Sequence, residues 1–281
     1  MGAVEYALRL TAPVAPRGDP RDALPAAWRG LLPGGAMAAL YFGSEFCEDR
    51  LPVLVDAITY CELGRARDCA PTLQTPLVSP RGLRRVDGLL AGLAAEGHRP
   101  AVVFNDWGVL RLLRERHPAL PRRAGRLVNR SLRDPRAYRD APLGFATHES
   151  SRFARLRRML ARAGVEALES DADLTGGYLG EGRDDDEAPL ERALHVPFTF
   201  AASGRACPLK AGLSPEGGFA KALADDCPAP CRGKPMPIGR ADTALPHWRG
   251  GNTLFYELPC AAARSWLPRA DRIVVHETPA P

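Results

Sequence analysis

Lysine is nearly missing from this 281-residue chain, which holds it only at Lys210, Lys221 and Lys234. Arginine therefore carries the formal charge of +5, and 33 acidic residues oppose it. A field diluted in this way does not by itself mark a nucleic-acid surface. No apolar run approaches the ~20 residues that a membrane helix needs. The opening MGAVEYALRL has no basic stretch followed by an apolar core, so no secretory signal is read there and a cytoplasmic protein is expected. No glycine-rich phosphate loop follows the first strand, which weakens a dinucleotide-binding fold. HExxH and G-x-S-x-G are absent as well, which removes the sequence marks of a zinc peptidase and of a serine hydrolase.

What is present is ordinary globular material, 45% hydrophobic and 25% charged, punctuated by 27 glycines and 27 prolines. Short apolar runs predict strands at 4–10, 37–42, 72–78, 101–104, 125–128, 165–168, 195–201, 253–256 and 272–275. Amphipathic helices fall between them. Leu83, Val86, Leu90 and Leu93 repeat at helical spacing ahead of Gly97. Asp106 is placed to cap a helix that ends before Pro118, and Ser150 or Ser151 to cap one that turns Phe153, Leu156 and Leu160 inward. Alternating strands and helices predict an α/β fold, a (β/α)8 TIM-type barrel with some helices short or missing. The chain reads as a single barrel domain over 1–281 with an exposed acidic loop at 182–187.

In such a barrel, chemistry gathers where the strands end. Reading outward gives Glu45 and Cys47, then Asn105 and Asp106, Asn129, Glu169 and Asp171, and finally Arg205 and Cys207. Asp106 suits a helix cap, and Asn129 suits a turn. Glu45 and Glu169 need partners, because a carboxylate is seldom buried alone. Glu45, Asn105, Asp106, Asn129 and Glu169 are thus the candidate pocket residues, with no catalytic base assigned among them.

The seven cysteines are odd in number and unevenly spaced, which argues against a disulfide framework. Cys227 and Cys231 form a C-x3-C pair stiffened by Pro228 and Pro230, and Cys207 lies upstream of it. Cys47, which also follows a strand, supplies a fourth thiol at the same mouth. Four thiolates suit a [4Fe-4S] cluster or a structural zinc; one close pair with two distant ligands favours the cluster. Cys61 reads as a core residue of a helix, and Cys69 and Cys260 receive no role.

With these residues in view, the chain resembles the collagenase-like peptidase family (U-type), and within it the short UbiV-like members of oxygen-independent ubiquinone biosynthesis. The matching stretches are LYFGSEFCEDR (40–50), VVFNDWGVLRLL (102–113), GRLVN (125–129) and FAASGRACPLKAG through DDCPAPC (200–231). The resemblance implies a barrel and a [4Fe-4S] cluster on Cys47, Cys207, Cys227 and Cys231. It further implies an iron–sulfur enzyme or enzyme subunit supporting hydroxylation of a quinone-precursor-like small molecule, and a heterodimer with a paralogous family member. The alternatives are a peptidase or hydrolase, as the family's name suggests, and an RNA-base hydroxylation factor. For the RNA reading, Arg122, Arg123, Arg126, Arg130, Arg133 and Arg136 would track phosphates together with the arginines of 152–162.

Overall fold

The computed structural model describes residues 4–16, 18–32, 34–129, 133–137, 154–172, 190–212, 227–264 and 266–280. The acidic loop at 182–187, Arg130, Arg152, Phe153 and the helix caps expected at Ser150 or Ser151 lie outside them.

Eight parallel strands close into a barrel. In chain order they are β1 (Glu5–Arg9), β2 (Met37–Gly43), β3 (Ala70–Thr75), β4 (Ala101–Phe104), β5 (Arg122–Ala124), β6 (Val165–Asp171), β7 (Glu191–Val196) and β12 (Arg272–His276). β1 pairs with both β2 and β12, so the first and last strands seal the ring. Between β7 and β12 the chain makes a separate antiparallel sheet. Its strands β8 (Phe198–Ser203), β9 (Met236–Ile238), β10 (His247–Gly250) and β11 (Thr253–Glu257) lie in the order β8-β11-β10-β9. The fold is thus the expected (β/α)8 barrel, carrying an inserted sheet.

Helices α1 (Ala26–Arg29), α2 (Leu54–Arg65), α3 (Pro80–Ala95), α4 (Trp107–Arg116) and α5 (Ala154–Arg162) follow barrel strands, while α6 (Pro208–Gly212) and α7 (Cys260–Ala263) belong to the insertion and its return. Local chemistry explains their ends. Ser79 accepts a hydrogen bond from the Gly82 amide and Pro80 opens α3. Asp106 accepts from Gly108 and opens α4. Val86, Leu90 and Leu93 of α3, and Leu160 of α5, are buried in one apolar cluster that fills the space between helices and sheet. Cys61 is buried in it too.

Three strands differ from expectation. The run at 125–128 is a turn, closed by Val128 N–H donating to Gly125 O, and the strand is the preceding Arg-Arg-Ala. An Arg pair reads as loop until its lumenal partners are known. The run at 195–201 is split at Pro197, with β7 before it in the barrel and β8 after it in the inserted sheet. The strand at 253–256 exists but pairs with β8 and β10 outside the barrel.

The turn after β5 depends on Gly125. A Cβ there would collide with the buried side chain of Asn105, whose amide donates to Thr75 O (2.9 Å) and whose oxygen accepts from Leu127 N (2.9 Å). Gly125→Ala is therefore expected to cost about 1–3 kcal/mol by overpacking. Urea unfolding of the variant beside wild type checks this, and an unchanged midpoint would refute it.

Candidate functional site

Side chains alternate along a strand, so residues two apart share a face. Ala7, Ala39, Tyr41, Val103, Ala193 and Val274 form a small buried cluster of their own, the barrel lumen. The same faces carry Arg9, Gln74, Arg123, Glu169, Asp171, His195 and His276 toward the strand ends, all of them buried. TIM-barrel lumens are usually packed with branched aliphatic residues. This one is packed with charge, and small alanines leave room for it.

Two carboxylates organise the network. Glu45 arrives by way of Gly43, whose φ of +99° lets the chain turn sharply off β2. Its oxygens accept from Arg126 Nε (2.9 Å) and Nη2 (2.6 Å), a bidentate pair. Arg126 Nη1 reaches Asp171 (2.6 Å), and Arg133 Nε holds the other oxygen of Asp171 (2.8 Å). Arg9 donates to Gln74 (3.0 Å), extending the layer to β1 and β3. Burial works against the charge on Arg126, yet Asp171 and Glu45 hold its pKa above the ordinary value. Burial likewise opposes Asp171, but Arg126 and Arg133 hold its carboxyl below the usual range.

Glu169 organises the second layer. It accepts from Arg123 Nε (2.7 Å), Tyr41 Oη (3.0 Å) and His195 Nε2 (2.8 Å). Arg123 also grips Glu191 through two bonds of 2.8 and 2.9 Å. Burial would raise the pKa of Glu169, but Arg123 and His195 outweigh it and bring it down to about 2. His195 Nδ1 lies 2.7 Å from His276 Nε2. A carboxylate at Nε2 fixes His195 as the donor there, so a single proton lies between the two imidazoles. Burial, then His195, Arg126 and Arg9, drive the His276 pKa well below its ordinary value and keep it neutral.

The candidate pocket residues separate by role. Glu45 and Glu169 have the arginine partners their burial requires. Asn105 is fully used in the turn after β5, and Asp106 caps α4 while also accepting from Val78 N (3.2 Å). Asn129 donates to Ser170 Oγ (2.9 Å). Sequence reasoning did not single out Arg9, Tyr41, Arg123, Arg126, His195 or His276 for this site. For the histidines, the available signal was their place two residues after a small or β-branched residue, Ala193 and Val274, in a strand.

The described arginines between Arg122 and Arg136 have partners within the protein, Arg136 pairing with Asp134. Arg123 and Arg126 are buried in ion pairs, Arg133 pairs with Asp171, and Arg122 donates to the carbonyls of Pro118 and Ala163.

After β2, at the barrel mouth, Cys47 lies within electrostatic range of Cys207 and Cys231, and Cys227 lies within range of Cys207. Cys47 leads into the turn Glu48–Arg50, and Cys207 precedes α6. Burial, above all, pushes the Cys47 thiol up to about 12; the Asp49 amide donates to its sulfur, and the charges that Cys231 and Cys207 would carry raise it further. Burial also raises Cys227, whose sulfur accepts from the Ala229 amide and feels Cys207. Cys207 and Cys231 are buried, Cys47 and Cys227 partly so. The other cysteines stand apart from this set: Cys69 Sγ donates to backbone carbonyls of Met37 and Arg67, and Cys260 begins α7. Among the described residues, no three His, Cys, Asp or Glu side chains form a grip for a single metal ion. A cluster presents a separate iron to each thiolate and takes them more widely spread than one zinc ion does.

The inserted sheet covers this mouth. Phe46, next to Cys47, packs on Phe200 of β8 (4.8 Å) and Phe255 of β11 (5.6 Å). Asn252 donates to the Phe46 and Gly204 carbonyls (2.7 and 2.6 Å). Beside it a cleft of about 390 Å³ is lined by Arg133, Pro135, Arg136, Phe200, Arg240 and Leu254. Among the described residues, no helix is long and apolar enough to cross a membrane.

No protein-family model matches the chain, and no curated protein does. Among solved structures it is similar to that of the U32 peptidase Mk0906, at 12% identity and a TM-score of 0.47, over 100% of this chain and 96% of that one. It is also similar to an immunomodulatory active chitinase, TsES1 from Trichuris suis, at 10% identity and a TM-score of 0.33, over 98% of this chain and 91% of that one. The barrel follows from the strand pairing; these likenesses add no chemistry to it.

Proposed function

We propose that this is an iron–sulfur protein of the collagenase-like peptidase family that supports oxygen-independent hydroxylation of a quinone-precursor-like molecule, as an enzyme or as one subunit of a pair. One observation carries the reading: Cys47 lies within electrostatic reach of Cys207 and Cys231, which stand far away in the chain. The donor set fits a [4Fe-4S] cluster. A buried thiol that resists ionisation by itself becomes a good ligand once a cationic core replaces its proton. The amides of Asp49 and Ala229 already aim at two of the sulfurs, as second-layer donors to a cluster do.

Cys47, Cys207, Cys227 and Cys231 would hold the cluster, and a cluster bound there supplies one-electron transfer. The chain's own residues do the rest. Phe46, Phe200 and Phe255 exclude water on the sheet side of the mouth. Arg126, spanning Glu45 and Asp171, fixes the loop that carries Cys47. The neutral His276, backed by His195 and Glu169, holds a proton position on the lumen side. A hydrolytic reading draws no comparable support, because among the described residues no histidine is bonded to a Ser, Thr or Cys side chain that it could activate.

Anaerobic purification followed by iron and sulfide analysis tests the proposal. Wild type is expected to hold about four irons and four sulfides per chain with a broad thiolate-to-iron absorption. Cys227→Ala is expected to lose most of both while keeping its far-UV circular dichroism. Wild type carrying only zinc, or no metal, sinks the reading.

A further inference from the structure

Two short loops that bear cysteines are joined by one nearly buried ion pair. Asp49 follows Cys47 by two residues, and Lys210 follows Cys207 by three. Lys210 Nζ lies 3.0 Å from Asp49 Oδ2, with the side chains only 8% and 10% exposed. We propose that the Asp49–Lys210 pair is the clamp that holds these loops in register and balances the charge around their sulfurs, making Lys210 a positioning residue of the centre. This rests on the reading of the four cysteines as cluster ligands.

The surroundings explain why the pair sits here. The turn that carries Asp49 is itself anchored. Glu48 accepts from the Ser79 amide (2.6 Å) and hydroxyl (2.9 Å) at the start of α3, and Arg81 reaches the other oxygen of Asp49 (3.3 Å). The Cys207 loop has a second tie to the same region, Arg205 Nη2 donating to Val78 O (3.0 Å). Asp49 is thus fixed from the barrel side, and Lys210 fastens the insertion to it. In a chain with three lysines, one is spent where burying an ammonium is expensive unless its partner is well placed.

Charge gives the pair a second role. Four thiolates around an iron–sulfur core leave net negative charge, and nearby charges shift its potential. Both members of the pair act on Cys227, Asp49 against ionisation and Lys210 in its favour. Removing the lysine leaves a bare carboxylate beside the sulfurs. Removing the aspartate frees the ammonium toward them. The two variants are therefore expected to share one defect, a loosened loop, and to differ in the sign of the other.

The test compares anaerobically prepared wild type, Lys210→Met, Lys210→Arg and Asp49→Asn. It reads iron loss to a chelator, midpoint potential by spectroscopic titration, and far-UV circular dichroism for folding. Lys210→Met and Asp49→Asn are expected to lose iron roughly tenfold faster than wild type, in keeping with the usual cost of a lost supporting contact. Lys210→Arg is expected to restore retention. The midpoint potential is expected to fall in Lys210→Met and to rise in Asp49→Asn. Potentials that move together, or iron retention equal to wild type in both, would overturn the clamp. If Lys210→Met does not fold, the nearly isosteric Asp49→Asn decides alone by its rise in potential and its faster iron loss. Wild type without iron would overturn the cluster reading along with the clamp; loaded wild type with indifferent variants overturns the clamp only.

Discussion

Arg126→Met is expected to lower the unfolding free energy by about 3–5 kcal/mol, the usual cost of leaving one side of a buried ion pair uncompensated. Arg126 is fully buried and makes two bonds to Glu45 and one to Asp171. Asp171 keeps Arg133 after the substitution, but Glu45 keeps only a long contact to Gln74 (3.4 Å). The burden therefore falls on Glu45. Methionine fills much of the vacated volume, so the loss is one of charge balance rather than of packing. The double variant Glu45→Gln/Arg126→Met removes the stranded charge and is expected to recover a large part of the loss, a non-additivity that denaturant unfolding of the four proteins measures. Additive losses would mean that water reaches the lumen and solvates Glu45 on its own.

Acid is expected to unfold the protein in two stages, both set in the lumen. His276 is held neutral in the folded chain, while the unfolded chain protonates it below pH about 6.5. Stability from this residue is present in full above that pH and falls with acidification by about 1.4 kcal/mol per pH unit, because the unfolded state takes a proton that the native state refuses. Glu169 acts lower down. Its carboxyl is depressed from 4.5 to about 2. Its contribution, on the order of 3 kcal/mol, is present above pH about 4.5 and disappears as the pH falls toward 2. Urea unfolding at pH 5, 6, 7 and 8 should show the first slope in wild type and a flatter one in His276→Asn. Equal slopes would mean that His276 takes its proton in the folded state.

The barrel was legible in the sequence because apolar strands and amphipathic helices announce themselves locally. Val102, Val103 and Phe104 mark β4 without help from the rest of the chain, and Ser79 and Asp106 mark helix starts. β5 was hidden because Arg122 and Arg123 satisfy no local pattern; Arg123 belongs in a strand only when Glu169 and Glu191 are brought across from β6 and β7. Strand ends and spacing are also what single out Cys47, Cys207, Cys227 and Cys231 as the candidate ligands. The His195–His276 contact is not legible in this way, because it exists only through the pairing of β7 with β12, which sets His195 beside Val274. Arg126 reads as part of a loose basic run, since nothing nearby in sequence says that its charge points inward. Glu45, named for needing a partner, was the half of that pair the sequence could supply.

The seam between β1 and β12 imposes an order on assembly. His276 sits on the strand that seals the ring, so during synthesis Glu169 and His195 emerge long before the residue that completes their chain of bonds. Until β12 docks, an open-sided sheet keeps these polar groups wet, and they lose their water only when the last staves are in place. Such long-range closure favours slow folding. A cluster bound at the mouth, as proposed, would be enclosed on its lumen side only with that final step.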